Sequence, residues 1–157
     1  MTTLLSLDSS TKSTGYAVFN DAVYVMSDVI DISTEKDMNK RTELMISEVL
    51  KLLEIVAPSI IVIERMHVQR NMSVVRALCE VIGAVRGWAI THNAFFYEIA
   101  PAEWRSAIGI QSKGLKREEL KRLSLDYVAD KYKITDISDD QSDAICIGDA
   151  YISIYDK

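Results

Sequence analysis

The sequence predicts an α/β fold built on a mixed five-stranded sheet with helices on both faces. Two observations carry this. Residues 3–32 alternate short apolar runs with turn residues and contain no helical stretch, so three strands follow one another and pair antiparallel. From Met38 onward, segments of helical period alternate with short apolar runs, the pattern of parallel βαβ crossovers.

Each element has its own local signal. Residues 3–8 read as an apolar strand ending in Asp8, and residues 16–19 return as a second strand after S-S-T-K-S-T-G. Asn20-Asp21 suits a hairpin turn, and residues 22–32 make a third strand. Met45, Ile46, Val49, Leu50, Leu53 and Val56 keep helical spacing, and Pro58 stops that helix. Ile60-Ile61-Val62-Ile63 are four β-branched residues in a row, which suits a strand buried on both faces and ending in Glu64. A helix then runs to about residue 92, with Cys79, Gly83 and Gly87 recurring every four residues along one side. Each glycine there costs about 1 kcal/mol against alanine. A close approach by another backbone would offset this, either from the chain's own sheet or from a second copy. Residues 95–99 form a fifth strand, and Pro101 opens a short helix closed by Gly109. After a loop at residues 111–114, a helix from Lys116 to Tyr132 is basic at its start. The last helix spans residues 138–155.

With 157 residues and ordinary globular composition, one domain over residues 1–157 is expected. No apolar run approaches the roughly 18–20 residues that span a bilayer, so no membrane partner is expected. Cys79 and Cys146 match no metal or redox spacing; both read as small core residues in a reducing, cytoplasmic setting. The net charge of −5 argues against a nucleic-acid partner, but its distribution does not. Residues 64–125 hold 10 basic and 6 acidic side chains, while both flanking segments are net acidic. An acidic average therefore conceals a basic region of the kind polyanions need.

The chemistry concentrates at the last helix. Asp140 and Asp143 are three residues apart and so share a face, where like charges repel unless a cation intervenes. Asp139, Asp140 and Asp143 equally suit a helix N-terminus. Two further acids, Asp8 and Glu64, end strands whose tips can be neighbours in such a sheet. Four converging carboxylates without clustered His or Cys suit a hard cation, Mg²⁺ or Mn²⁺, of the kind that promotes phosphodiester cleavage. Lys113 or Lys116 could steady phosphate charge, although either also reads as a solvated surface lysine. Asp8 also suits a turn, and Glu64 a salt bridge to Arg65 or Arg70.

The runs L-S-L-D-S-S-T-K-S-T-G-Y-A-V, I-V-I-E-R-M, Y-E-I-A-P-A-E-W-R-S-A-I-G and D-Q-S-D-A resemble, in order and interval, the motifs of RuvC Holliday-junction resolvases. That family belongs to the ribonuclease H-like superfamily. The resemblance covers nearly the whole chain and implies that Asp8, Glu64, Asp140 and Asp143 stand at the family's four metal-binding acids. It also implies that Lys116, or else Lys113, is the lysine near the scissile phosphate. The family is homodimeric, which places Cys79, Gly83 and Gly87 at a dimer interface. Two departures stand out: Ser10 replaces a glycine two residues after Asp8, and His67 replaces an aromatic three residues after Glu64. Together with the short chain, they resemble a divergent, phage-borne member.

The resemblance thus implies a Mg²⁺-dependent endonuclease that places paired symmetric nicks in a four-way DNA junction. Arg65, Arg70, Arg76, Arg105, Lys113 and Arg117 would contact the DNA backbone, with His67 able to stack on a base. The sequence names no branch-migration motor as partner. A nuclease of the same fold acting on forks, flaps or RNA hybrids is the alternative. An actin-like phosphotransferase needs a far longer chain, and a non-catalytic junction-binding module would have lost one of the four acids.

Overall fold

The structure is a computed structural model that describes residues 1–67 and 70–155. Strands β1 (Thr3–Asp8), β2 (Ser13–Asn20) and β3 (Val23–Asp31) form the expected antiparallel meander. Strand β4 (Ile60–Glu64) adds parallel to β1, and β5 (Phe95–Ile99) adds parallel to β4. The order across the sheet is β3-β2-β1-β4-β5. The β-branched run of β4 is therefore central, with a parallel neighbour on each side, as its composition requires.

The β2–β3 turn sits one residue later than the sequence suggests. Asp21 and Ala22 have φ of 47° and 65°, while Asn20 stays in the ladder opposite Thr3 and Val23. Positive φ at both central positions matches the right-handed twist of the flanking strands.

Helices cover both faces. α1 (Met38–Val56) and α2 (Met72–Thr91) bury Met45, Val49, Leu53, Val81 and Val85 against Leu5, Leu7, Val18, Ile61 and Ile63. On the other face, α3 (Pro101–Ala107), α4 (Arg117–Tyr132) and α5 (Asp139–Tyr155) pack Trp104, Val128, Ile145 and Ile147 against Leu4, Ala17, Phe19 and Val62. Leu4 and Leu5 belong to opposite cores because successive strand side chains point to opposite faces. α1 ends at Ala57, which leaves the right-handed region before Pro58 by turning left-handed, with φ 46° and its N–H on the Leu53 carbonyl at 2.8 Å. At the start of α5, the Ser138 hydroxyl accepts from the Gln141 N–H at 3.2 Å.

α5 is the most deeply embedded helix, with every residue from Ala144 to Tyr151 buried. Its backbone lies close to the sheet: the Ser6 hydroxyl donates to the Ala144 carbonyl at 2.6 Å, and a Cβ on Gly148 would collide with the Phe19 ring. Of the two cysteines, Cys146 is a core residue as expected. Cys79 is not: it is exposed on α2, because Leu78 and Val81 take the side of that helix that faces the sheet.

Candidate active site

Because β1 and β4 pair in parallel, their C-terminal ends share one edge of the sheet. The register aligns Leu7 with Ile63, so Asp8 and Glu64 come next on adjacent strands. The N-terminus of α5 arrives over β2, where the Ser13 hydroxyl donates to Asp140 Oδ2. One turn further along, Asp143 points into the same space. The result is a crevice of about 530 Å³ lined by Asp8, Glu64, Asp140 and Asp143 together with Asp139. The β1–β2 loop that forms one wall is organised by Ser10, whose hydroxyl accepts from the Ser13 N–H at 2.9 Å and donates to the Ser13 carbonyl at 2.5 Å. The buried Arg41 of α1 braces that loop from behind through its Nε–H to the Thr11 carbonyl at 3.0 Å.

The acids oppose each other electrically. Burial raises the Asp8 carboxyl well above the usual range, and the charges of Glu64, Asp143 and Asp140 raise it further. Asp143 is pushed up to about 6, chiefly by burial and then by Glu64. Asp140 is raised by burial against the opposing effect of its Ser13 hydrogen bond. Asp139 differs: its ion pair with Lys121 at 2.7 Å lowers it. Each buried carboxylate here makes its neighbours harder to ionise, and a positive charge among them would oppose that effect.

The donor set is oxygen-only, which fits a hard divalent cation. Among the described residues, the buried side-chain polar atoms without a hydrogen-bond partner are Asp143 Oδ1, Ser9 Oγ and Arg105 Nε, and all three residues line this crevice. Such atoms normally find a partner, so their concentration here fits a site completed by a ligand. Among the described residues, no three His, Cys, Asp or Glu side chains are grouped to hold an ion as they stand. Two of the four are held by protein donors: Asp140 by Ser13, and Glu64 Oε2 by the Trp104 indole N–H at 2.6 Å.

Of the other residues singled out from sequence, Arg65, His67, Arg105 and Arg117 also line the crevice. His67 Nε2 lies 4.0 Å from Glu64 Oε1. Lys113 and Lys116 are exposed and outside the lining, although Lys116 directly precedes Arg117 as the residue capping α4. Arg70 is exposed beyond the crevice, and Arg76 pairs with Glu80 on the surface of α2 at 3.0 Å. Cys79, Gly83 and Gly87 face outward, and among the described residues a Cβ on either glycine would meet nothing within 4 Å. Their small size is therefore not explained by the chain's own sheet.

Sequence reasoning missed Trp104, Lys121 and the second role of Asp139. The basic start of α4 was visible, but which of its cations reaches the acids depends on how α4 lies on α5. Ser13 carried no signal beyond its place in a polar turn.

Comparison with known proteins gives a consistent answer. The family described as crossover junction endodeoxyribonuclease RuvC matches residues 4–148. No curated protein matches the sequence. Among solved structures, the fold is similar to T. thermophilus RuvC in complex with Holliday junction substrate, at a TM-score of 0.74 and 15% identity over 98% of this chain and 94% of that one. It is also similar to the Fowlpox virus resolvase in complex with substrate Holliday junction DNA, at 0.66 and 17% over 99% of both chains. The yeast mitochondrial Holliday junction resolvase Ydc2 is similar at 0.60 and 15%, over 96% of this chain and 77% of that one. The fold is ribonuclease H-like. With the family match spanning nearly its whole length, the chain belongs to the crossover junction endodeoxyribonuclease RuvC family.

Proposed function

We propose that the protein is a divalent-metal-dependent, structure-selective DNA endonuclease that resolves four-way junctions by paired symmetric nicks. The observation that carries this reading is the convergence of Asp8, Glu64, Asp140 and Asp143 in one crevice that also presents Arg105, Arg117 and Lys121. Family membership and the junction-bound neighbours support the substrate class.

Mg²⁺ or Mn²⁺, held by the four carboxylates, would supply the charge that activates water and stabilises the leaving oxygen. The chain's own residues do the rest. Arg105 and Arg117 draw the phosphate backbone toward the acids, and Lys121 offsets Asp139 so that the phosphate does not meet a fifth uncompensated negative charge. Arg65 and His67 extend the wall on the β4 side, where His67 can stack on an unpaired base. Lys116 and Lys113 stand ahead of α4, and either can swing toward a phosphate bound beside Arg117. Arg70 and Arg76 serve as outlying backbone contacts, which position the DNA without reading its sequence.

Two copies are needed for paired nicks. The exposed stripe of Cys79, Gly83 and Gly87 on α2 is the surface we assign to the seam, since among the described residues a Cβ on either glycine meets nothing within 4 Å, which leaves room for a second backbone. A two-fold axis there would present two identical crevices to the symmetry-related strands of a junction.

The test is incubation with an immobile four-way junction, a matched duplex and a fork, in Mg²⁺ and in EDTA. Paired symmetric nicks in the junction alone, absent in EDTA, are expected. Equal cutting of the fork would widen the function to branched DNA in general. Tight junction binding without cleavage in Mg²⁺ or Mn²⁺ would overturn the nuclease reading.

A further inference from the structure

Trp104 is fully buried, yet its indole N–H reaches out of the core to Glu64 Oε2 at 2.6 Å. The element carrying it is over-determined. α3 begins at Pro101 immediately after β5, and Glu103 accepts both from the Ala100 N–H at 3.3 Å and from the Tyr97 hydroxyl at 3.0 Å. The Arg105 guanidinium lies over the Trp104 ring at 4.5 Å, which closes it on the crevice side. The indole is thus a rigid donor aimed at one oxygen of one acid.

We propose that Trp104 is a positioning residue for Glu64: its N–H immobilises Oε2 and leaves Oε1 to meet a divalent cation. This rests on the reading that the crevice acids hold such a cation. A glutamate at a strand end otherwise has several rotamers, and a donor fixed on one of its oxygens selects one of them, as partners of metal-ligating side chains generally do. The protein contains its own control. Trp88 makes the same kind of bond to Glu54 Oε1, also at 2.6 Å, on the opposite face of the sheet and away from the crevice.

The experiment compares Trp104→Phe with Trp88→Phe, each in the full chain. Mn²⁺ binding without DNA is followed by electron paramagnetic resonance, and single-turnover junction nicking is measured alongside. Trp104→Phe should weaken Mn²⁺ binding and slow nicking by about 10–100-fold, with junction affinity in EDTA unchanged; Trp88→Phe should match wild type. Equal Mn²⁺ binding by all three proteins would overturn the proposal. Because loss of the indole could also loosen the core, wild type is examined by ¹⁵N NMR of its two indole N–H groups, assigned with Trp88→Phe. Mg²⁺ should move the Trp104 resonance and leave that of Trp88 in place; an unmoved Trp104 signal would overturn the inference. A wild type that takes up Mn²⁺ but nicks no branched DNA would end the resolvase reading and leave the Trp104 inference standing.

Discussion

Gly15 lies directly beneath Asp140, so close that a Cβ would collide with the Asp140 carbonyl group. The same glycine is paired with Asp8 across the β1–β2 ladder. One residue without a side chain therefore sets the separation between an acid on the sheet and an acid on α5. Gly15→Ala is expected to push α5 away, costing about 1–3 kcal/mol by overpacking and reducing junction cleavage. Thermal melting and a nicking assay on the same preparation check this; wild-type values in both would show that α5 gives way freely.

Asp8→Asn should abolish cleavage while junction binding persists. Asp8 is the acid on which the charges of Glu64, Asp143 and Asp140 all act, so removing its charge should disable the proposed cation site without touching Arg117 or Lys121. Binding by mobility shift in EDTA, set beside cleavage in Mg²⁺, separates the two. Loss of binding with cleavage kept in the bound fraction would contradict it.

Without metal, stability should fall as pH rises from about 4 to about 6. Asp143 is raised from 3.8 to about 6 in the fold. In that window the folded state holds a proton that the unfolded chain has released, and stability drops as pH increases. The shift corresponds to something on the order of 2–3 kcal/mol for this one group. Asp143→Asn should therefore be more stable than wild type at pH 7 in EDTA, with the gap closing toward pH 4. Melting temperatures across that range decide it, and an equal gap at both ends would rule it out. Added Mg²⁺ should raise the melting temperature of wild type and not of the variant.

Gly83→Leu should weaken self-association and leave the melting temperature of the monomer nearly unchanged. A Cβ at that position meets nothing within 4 Å among the described residues, its own helix backbone aside. Light scattering across a dilution series provides the mass, and an unchanged dimer mass at low concentration would move the seam elsewhere.

Two alanines sit at positive φ, Ala22 in the β2–β3 turn and Ala57 at the end of α1. For an L-residue with a Cβ that conformation costs about 1–2 kcal/mol, while glycine adopts it freely. Ala57→Gly and Ala22→Gly are each expected to stabilise the protein by about 0.5–1 kcal/mol, measured by urea denaturation. Cleavage should not change, since both positions lie away from the crevice.

How far the sequence alone reaches follows from the range of the interactions. The alternation of periods specified the strands and helices, the run Ile60–Ile63 marked the central parallel strand, and Asp8, Glu64, Asp140 and Asp143 stood out as strand-end acids and a same-face pair. These are local properties, written into neighbouring residues. What only the tertiary structure decided involves partners far apart in the chain. Asp139 shares the crevice with the other acids but is ion-paired with Lys121, because α4 lies against α5. Cys79 is on the surface, because the rotation of α2 is set by the groove in which Leu78 and Val81 pack. Glu64 receives an N–H from Trp104, forty residues away. Helical spacing tells which residues share a face; it cannot tell what that face will meet, since that depends on how the sheet orients each helix.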